Sequence, residues 1–272
     1  MNLNESRINN IYNIEKCENF LNLKKNSLKK YIVEIEKDKI FLDEITQQIN
    51  FVKNIYKFKK GIFRKNRIKD IHEFSFFRIL LYVLVRYYKP NNILETGVFY
   101  GGNTLFLLKA IYKNKQGILT SIDLPHSIMK KKFKKMVNKS RHLLVKNTET
   151  YRDDLMPGFI IPEIYKKNLH MKLGEATSEI KKLKRRFDFY IHDSDHSYSY
   201  LQGELSAANK KLTKKSFILV DDIDWSNAFY SFVNINRYYP MLFTDNGKDN
   251  LRVRIGMVYK NHLNNNKKTF TK

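Results

Sequence analysis

LETGVFYGGNT, Leu94 to Thr104, marks where this 272-residue sequence changes character. A short apolar run ends in an acid, Glu95. Gly97 and Gly101 then permit positive φ and close approach of other backbone. TLFLLKAIY follows with helical spacing and presents its N-terminus to the turn. Strand, glycine turn and helix in that order begin a βα unit.

The unit repeats downstream. GILTSIDLP, Gly117 to Pro125, reads as a strand ending in Asp123. NLHMKLGEATSEIKKL gives strand, turn and helix. FDFYIHD is a strand, and Tyr198, Leu201, Leu205, Ala208 and Leu212 form the apolar side of the helix after it. SFILVDDI, a short helix within WSNAFYSFV and the strand RVRIGMVYK complete the series. This alternation predicts an α/β fold, a Rossmann-like, doubly wound and mostly parallel sheet of about seven strands. Upstream, Phe41, Leu42, Ile45, Ile49, Val52 and Tyr56 form a helical stripe, KFKKGIFRKNRIKD is a basic connector, and EFSFFRILLYVLVRYYKP is a buried helix stopping before Pro90. The expected organisation is an N-terminal helical extension (1–72), the α/β domain (73–260) and a polar tail (261–272).

The formal charge of +24 admits a nucleic-acid or anionic-membrane partner, or simply solvated lysine faces. The run KKKFKK, Lys130 to Lys135, lies in a long segment from His126 to Ile161 that reads as a lid or insertion. The single cysteine, Cys17, excludes an intramolecular disulfide and zinc-ribbon spacing. No apolar run is long enough to cross a bilayer and no secretory signal is visible, so a cytoplasmic location is expected.

In a parallel sheet ligands bind beyond the carboxyl ends of the strands. Here those ends deliver Glu95, Asp123, Glu175, Asp193 and the pair Asp221–Asp222 to one edge. Phe99 stands where a dinucleotide cradle would want its second glycine, so the first turn suits a nucleoside lacking pyrophosphate, best one with a cationic side chain. Asp123 is either an ordinary strand-end acid or one placed to accept ribose hydroxyls. Neighbouring strands lie ~4.8 Å apart, so carboxylates at their ends can share a cation.

ETGVFYGGNT, SIDLP, FDFYIHDSDHSY and ILVDDI, in this order, resemble the class I S-adenosylmethionine-dependent methyltransferases. The likeness is to the branch with a DGDHSY fourth-strand motif, similar to cephalosporin-hydroxylase-like and catechol O-methyltransferase-like enzymes. It spans roughly Glu73 to Lys260. The resemblance implies that Glu95, Thr96, Gly97, Gly101, Asn103 and Thr104 hold the methionine part of the cofactor, Asp123 its ribose, and Glu175 and Ala176 its adenine. Asp193 would stand beside the methyl group and His196 would accept the proton. Asp193, Asp221 and Asp222 would bind magnesium or another divalent cation. The implied reaction is O-methylation of a small-molecule or glycan acceptor by an enzyme that self-associates as a homodimer. Ser194 departs from the family glycine, and Trp225 reads as an acceptor wall or as packing. An RNA-directed methyltransferase and a degenerate, non-catalytic scaffold are the rival readings.

Overall fold

A computed structural model describes residues 3–55, 75–128, 155–247 and 250–263. The basic connector, KKKFKK and the last nine residues of the tail lie outside them. Four helices come first: α1 (Leu3–Phe20), α2 (Lys29–Glu36), α3 (Lys39–Ile55) and α4 (Phe76–Tyr88). Then follow β1 (Asn92–Thr96), α5 (Gly102–Asn114), β2 (Ile118–Asp123), α6 (Glu163–Lys166), β3 (Leu169–Leu173), α7 (Ala176–Lys182), β4 (Phe187–His192), α8 (Tyr198–Lys211), β5 (Leu212–Val220), α9 (Ala228–Ile235), β6 (Tyr238–Gly247) and β7 (Asn250–Leu263).

The seven strands form one sheet in the order β3-β2-β1-β4-β5-β7-β6, with β7 antiparallel to both of its neighbours and the other pairs parallel. This is the expected doubly wound sheet. The order reverses between β1 and β4, which opens a crevice at their carboxyl ends. Six of the strands follow the sequence reading. The seventh, β6, is concealed by Pro240 in YYPMLF, and a proline is tolerated there because β6 is an edge strand. Leu212, expected to close the stripe of α8, begins β5 instead.

Both faces of the sheet are covered, as a parallel sheet requires. Ile93, Leu119, Phe189, Ile191, Phe217 and Leu219 face one core, shared with α1 to α5. The alternate residues Leu94, Ile122, Tyr190, Ile218 and Val220 face a second, under α7, α8 and α9. The N-terminal helices are tied in by charge as well as by apolar contact. Arg86 of α4 donates to both Glu34 oxygens of α2 (2.7 and 2.8 Å), and Tyr82 donates to the same carboxylate (2.5 Å). Asp38, beside α3, pairs with Lys109 and Lys113 of α5 at 3.2 and 2.8 Å. No helix among the described residues is long and apolar enough to cross a membrane.

Candidate functional site

The crevice is built where β1 and β4 end side by side. The Asp193 amide donates to the Thr96 carbonyl (2.9 Å) and the Gly97 amide to the Ile122 carbonyl (3.0 Å). Gly97 has φ +84°, and a Cβ there would overlap the Asp193 carbonyl oxygen and lie 2.7 Å from the Ser194 nitrogen. Glycine is therefore required by the backbone that immediately follows β4. Gly101 (φ +104°) caps α5 against Gly158 and Ile161, and the Gly158 amide donates to the Phe99 carbonyl at 2.8 Å.

Three carboxylates are held around this junction, each differently, with Asp221 close to one of them. Glu95 is fully buried; Thr104 Oγ1 donates to it at 3.0 and 3.1 Å and Ser121 Oγ at 2.6 Å. Burial raises its pKa to about 7. It thus ties the first turn of α5 to β2. Asp123 reaches the first turn from β2: its Oδ2 accepts from the Val98 and Phe99 amides (2.9 and 2.7 Å) and its Oδ1 from Leu124 (2.7 Å). A carboxylate has about four acceptor sites, so capacity remains for hydroxyls. Asp193 Oδ2 accepts from Asn103 Nδ2 at 2.7 Å. Close packing around it, then the nearby Asp221 and Glu95 charges, hold its pKa well above the usual carboxylate range.

Asp193 has a support that the sequence reading missed. Arg78 of α4 donates through Nε to Asn103 Oδ1 (3.1 Å) and through Nη2 to the Tyr100 hydroxyl (2.6 Å). Its charge works against the upward shift of Asp193. An arginine in the first turn of an otherwise apolar run, FFRILLYVLV, was the available signal.

Beyond β4 the HDSDHSY loop separates its histidines. His192 is buried under α8, with Nδ1 3.0 Å from Glu204 Oε2. Ser194 donates to Glu204 Oε1 at 2.7 Å, so the residue that departs from the family glycine anchors the loop. Glu204, also missed, is a buried acid on the apolar side of α8. Asp195 accepts from the Ser197 amide (3.0 Å) and shapes the entry to that helix. His196 does face the crevice: Nε2 stands 3.7 Å from Asp193 Oδ1, and its ring centroid is 6.0 Å from that of Trp225, which is 72% exposed. Burial, then the neighbouring His192, lowers the His196 pKa to about 4, leaving it neutral through the physiological range.

The structure divides the expected metal set. Asp221 lies beside Asp193, but the Asp222 carboxylate is engaged by Arg254 of β7, and Asp222 has φ +50°. Among the described residues no three acid, histidine or cysteine side chains form a group able to hold a metal. The trio therefore does not fit a three-ligand cation site. Glu175 caps α7, accepting from the Thr177 and Ser178 amides at 3.0 and 2.7 Å, and Ala176 opens that helix.

Residues 94–223 match the family described as "Methyltransferase domain". No curated protein matches the sequence. Among solved structures, a candidate O-methyltransferase from Klebsiella pneumoniae is similar at 13% identity with a TM-score of 0.51, covering 79% of this chain and 89% of that one. An O-methyltransferase from Bacillus cereus, solved with S-adenosylhomocysteine, aligns at 13% identity and TM-score 0.49 (86% and 100% covered). TomG from Streptomyces achromogenes, an O-methyltransferase of tomaymycin synthesis solved with S-adenosylmethionine, aligns at 11% and 0.48 (79% and 88% covered).

Proposed function

We propose that this chain, which carries a class I S-adenosylmethionine-dependent methyltransferase domain, methylates a hydroxyl oxygen on a small-molecule or glycan acceptor at the β1–β4 crevice. The observation that carries the reading is the gathering of Glu95, Asp123, Asp193 and Asp221 at one edge of a chain whose net charge is +24. With Asp123, Asp193 and Asp221 partly exposed and Glu95 buried beneath them, an acid-lined crevice in a basic protein is a local inversion of charge that favours a cationic ligand. S-adenosylmethionine supplies a sulfonium methyl that transfers to oxygen with the C–S electron pair leaving on sulfur.

In this reading Thr96, Gly97, Gly101, Asn103 and Thr104 shape the seat for the methionine part, with Glu95 bracing it from below. Asp123 accepts the ribose hydroxyls, and the Glu175–Ala176 turn borders the adenine. Asp193, fixed by Asn103, stands beside the methyl carbon. His196, neutral and facing the crevice, takes the acceptor's proton on Nε2, and Asp193 3.7 Å away stabilises the imidazolium as it forms. Metal assistance finds less support, because Arg254 occupies Asp222.

The test is calorimetric titration of S-adenosylhomocysteine in EDTA and again with magnesium. Micromolar binding indifferent to metal is expected. Absence of binding in both buffers overturns the cofactor assignment and returns the scaffold reading.

A further inference from the structure

The strong positive charge is not used by the crevice, and part of it is gathered elsewhere. A concavity of about 670 Å³ opens at the outer edge of the sheet, and it shares no lining residue with the candidate site. Five of its seven lining residues are basic, namely His170, Lys172, Lys182, Lys184 and Arg185, and none is acidic. The fold explains the convergence. β3 is an edge strand, and His170 and Lys172, two apart, point to the same face. Thr120, partner of His170 across the β2–β3 ladder, lines the cavity too. The last turn of α7 and the loop into β4 bring Lys182, Lys184 and Arg185 over the opposite side.

Lysines at a helix C-terminus usually need no ligand, because the terminal carbonyls attract them. Here that role is filled from outside: Lys211 of α8 donates to the Lys181 and Leu183 carbonyls at 3.0 and 2.6 Å. Glu179 offsets Lys182 at 2.6 Å. Lys172, Lys184 and Arg185 make no ion pair among the described residues, and Arg185 donates only to the neutral Asn92 Oδ1 at 3.4 Å. Like charges facing one another across a cavity repel unless an anion sits between them.

We propose that this concavity binds a compact phosphate-bearing ligand, of the class of a di- or triphosphate, through Lys172, Lys184 and Arg185. The volume falls within the range of small-molecule sites, on the order of 300–1,000 Å³. An arginine fork with two lysines matches a phosphate chain by geometry and charge. The site does not depend on methyl transfer at the crevice.

Inorganic pyrophosphate titrated calorimetrically into the full chain at ~0.15 M salt is the direct probe. Saturable one-to-one binding is expected, weakened at least tenfold in Lys172→Gln/Arg185→Gln. The exposed pair Lys184→Gln/Arg185→Gln provides the same reading if the half-buried Lys172 disturbs folding. Lys24→Gln/Lys25→Gln removes equal charge from an exposed turn elsewhere and should leave binding unchanged. Equal weakening in the control means diffuse charge and overturns the proposal, as does the absence of pyrophosphate binding. Binding confined to a single-stranded RNA oligonucleotide, without pyrophosphate binding, overturns it in favour of a nucleic-acid surface. S-adenosylhomocysteine affinity in the same variants should not move, so failure here and failure of the methyltransferase reading give different results.

Discussion

Replacing Gly97 by alanine tests the junction on which the crevice depends. Two costs add. At φ +84° an L-residue lies in the left-handed region, which costs roughly 1–2 kcal/mol. The new methyl would also overlap the Asp193 carbonyl and crowd the Ser194 nitrogen at 2.7 Å. Overpacking of this kind costs about 1–3 kcal/mol when neighbours can shift. These neighbours are backbone, held by the Asp193-to-Thr96 and Gly97-to-Ile122 hydrogen bonds, so the upper part of the range applies. The expected loss is about 3–5 kcal/mol, a large share of the ~5–15 kcal/mol that holds a typical domain together. Urea unfolding followed by circular dichroism measures it, with S-adenosylhomocysteine titration alongside. Gly203→Ala is the internal comparison. It lies mid-helix in α8 at ordinary φ, its Cβ would approach only the Thr177 side chain, at 3.3 Å from Oγ1, and its effect should stay within about 1 kcal/mol. If Gly97→Ala unfolds within ~1 kcal/mol of wild type and still binds cofactor product, the backbone contact between β1 and β4 is not what demands glycine and the reasoning fails.

Three further outcomes follow from the site. Glu95 titrates near 7 in the folded chain against 4.5 as its reference, so the folded state holds an extra proton between those values and stability falls by about 3 kcal/mol as pH rises through them. Glu95→Gln should flatten that stretch of a denaturation-versus-pH profile; a wild-type profile already flat from pH 4.5 to 7 refutes it. Arg78→Met removes a cation from Asp193 and a donor from Asn103, so Asp193 rises further and ionises only at higher pH. S-adenosylmethionine affinity should drop roughly ten- to a hundredfold, as for a lost charge-assisted hydrogen bond, and recover in part as pH increases; S-adenosylhomocysteine, without the sulfonium charge, should lose less, and an equal loss for both counts against the charge argument. His196→Gln should reduce methyl transfer by about 10²–10⁴-fold with cofactor affinity retained. Because His196 titrates near 4, the wild-type rate should show no imidazole limb near 6.5, and finding one would remove His196 from the proton-accepting role.

Much of this was legible because it is local. Strand, glycine turn and helix succeed one another within LETGVFYGGNT, and acids at strand ends declare themselves by following apolar runs. Arg78 and Glu204 are a different case, since a single polar residue in a helical stripe acquires meaning only from its partner. Arg78 finds Asn103 twenty-five positions away, and Glu204 finds His192 and Ser194 across the loop before its own helix. Asp221 and Asp222 are chemically alike and adjacent, so only the tertiary placement of Arg254 tells them apart. In β6 the local signal pointed elsewhere, because Pro240 reads as a strand breaker until the strand is known to lie at the edge.

That edge is not left bare. Asn13 of α1 donates to the Thr244 carbonyl of β6 at 3.3 Å, and Phe20 stacks on Tyr239 at 5.9 Å. The first helix in the chain thereby shields the last position in the sheet, where unpaired backbone groups would otherwise offer a template to another molecule. A fragment begun at residue 73 would keep every group of the crevice yet lose the shield and about a quarter of the buried residues of one core. Such a fragment should pair with its own copies edge to edge before it misbehaves as a catalyst. A chain emerging from the ribosome N-terminus first therefore makes the guard before the strand that needs guarding.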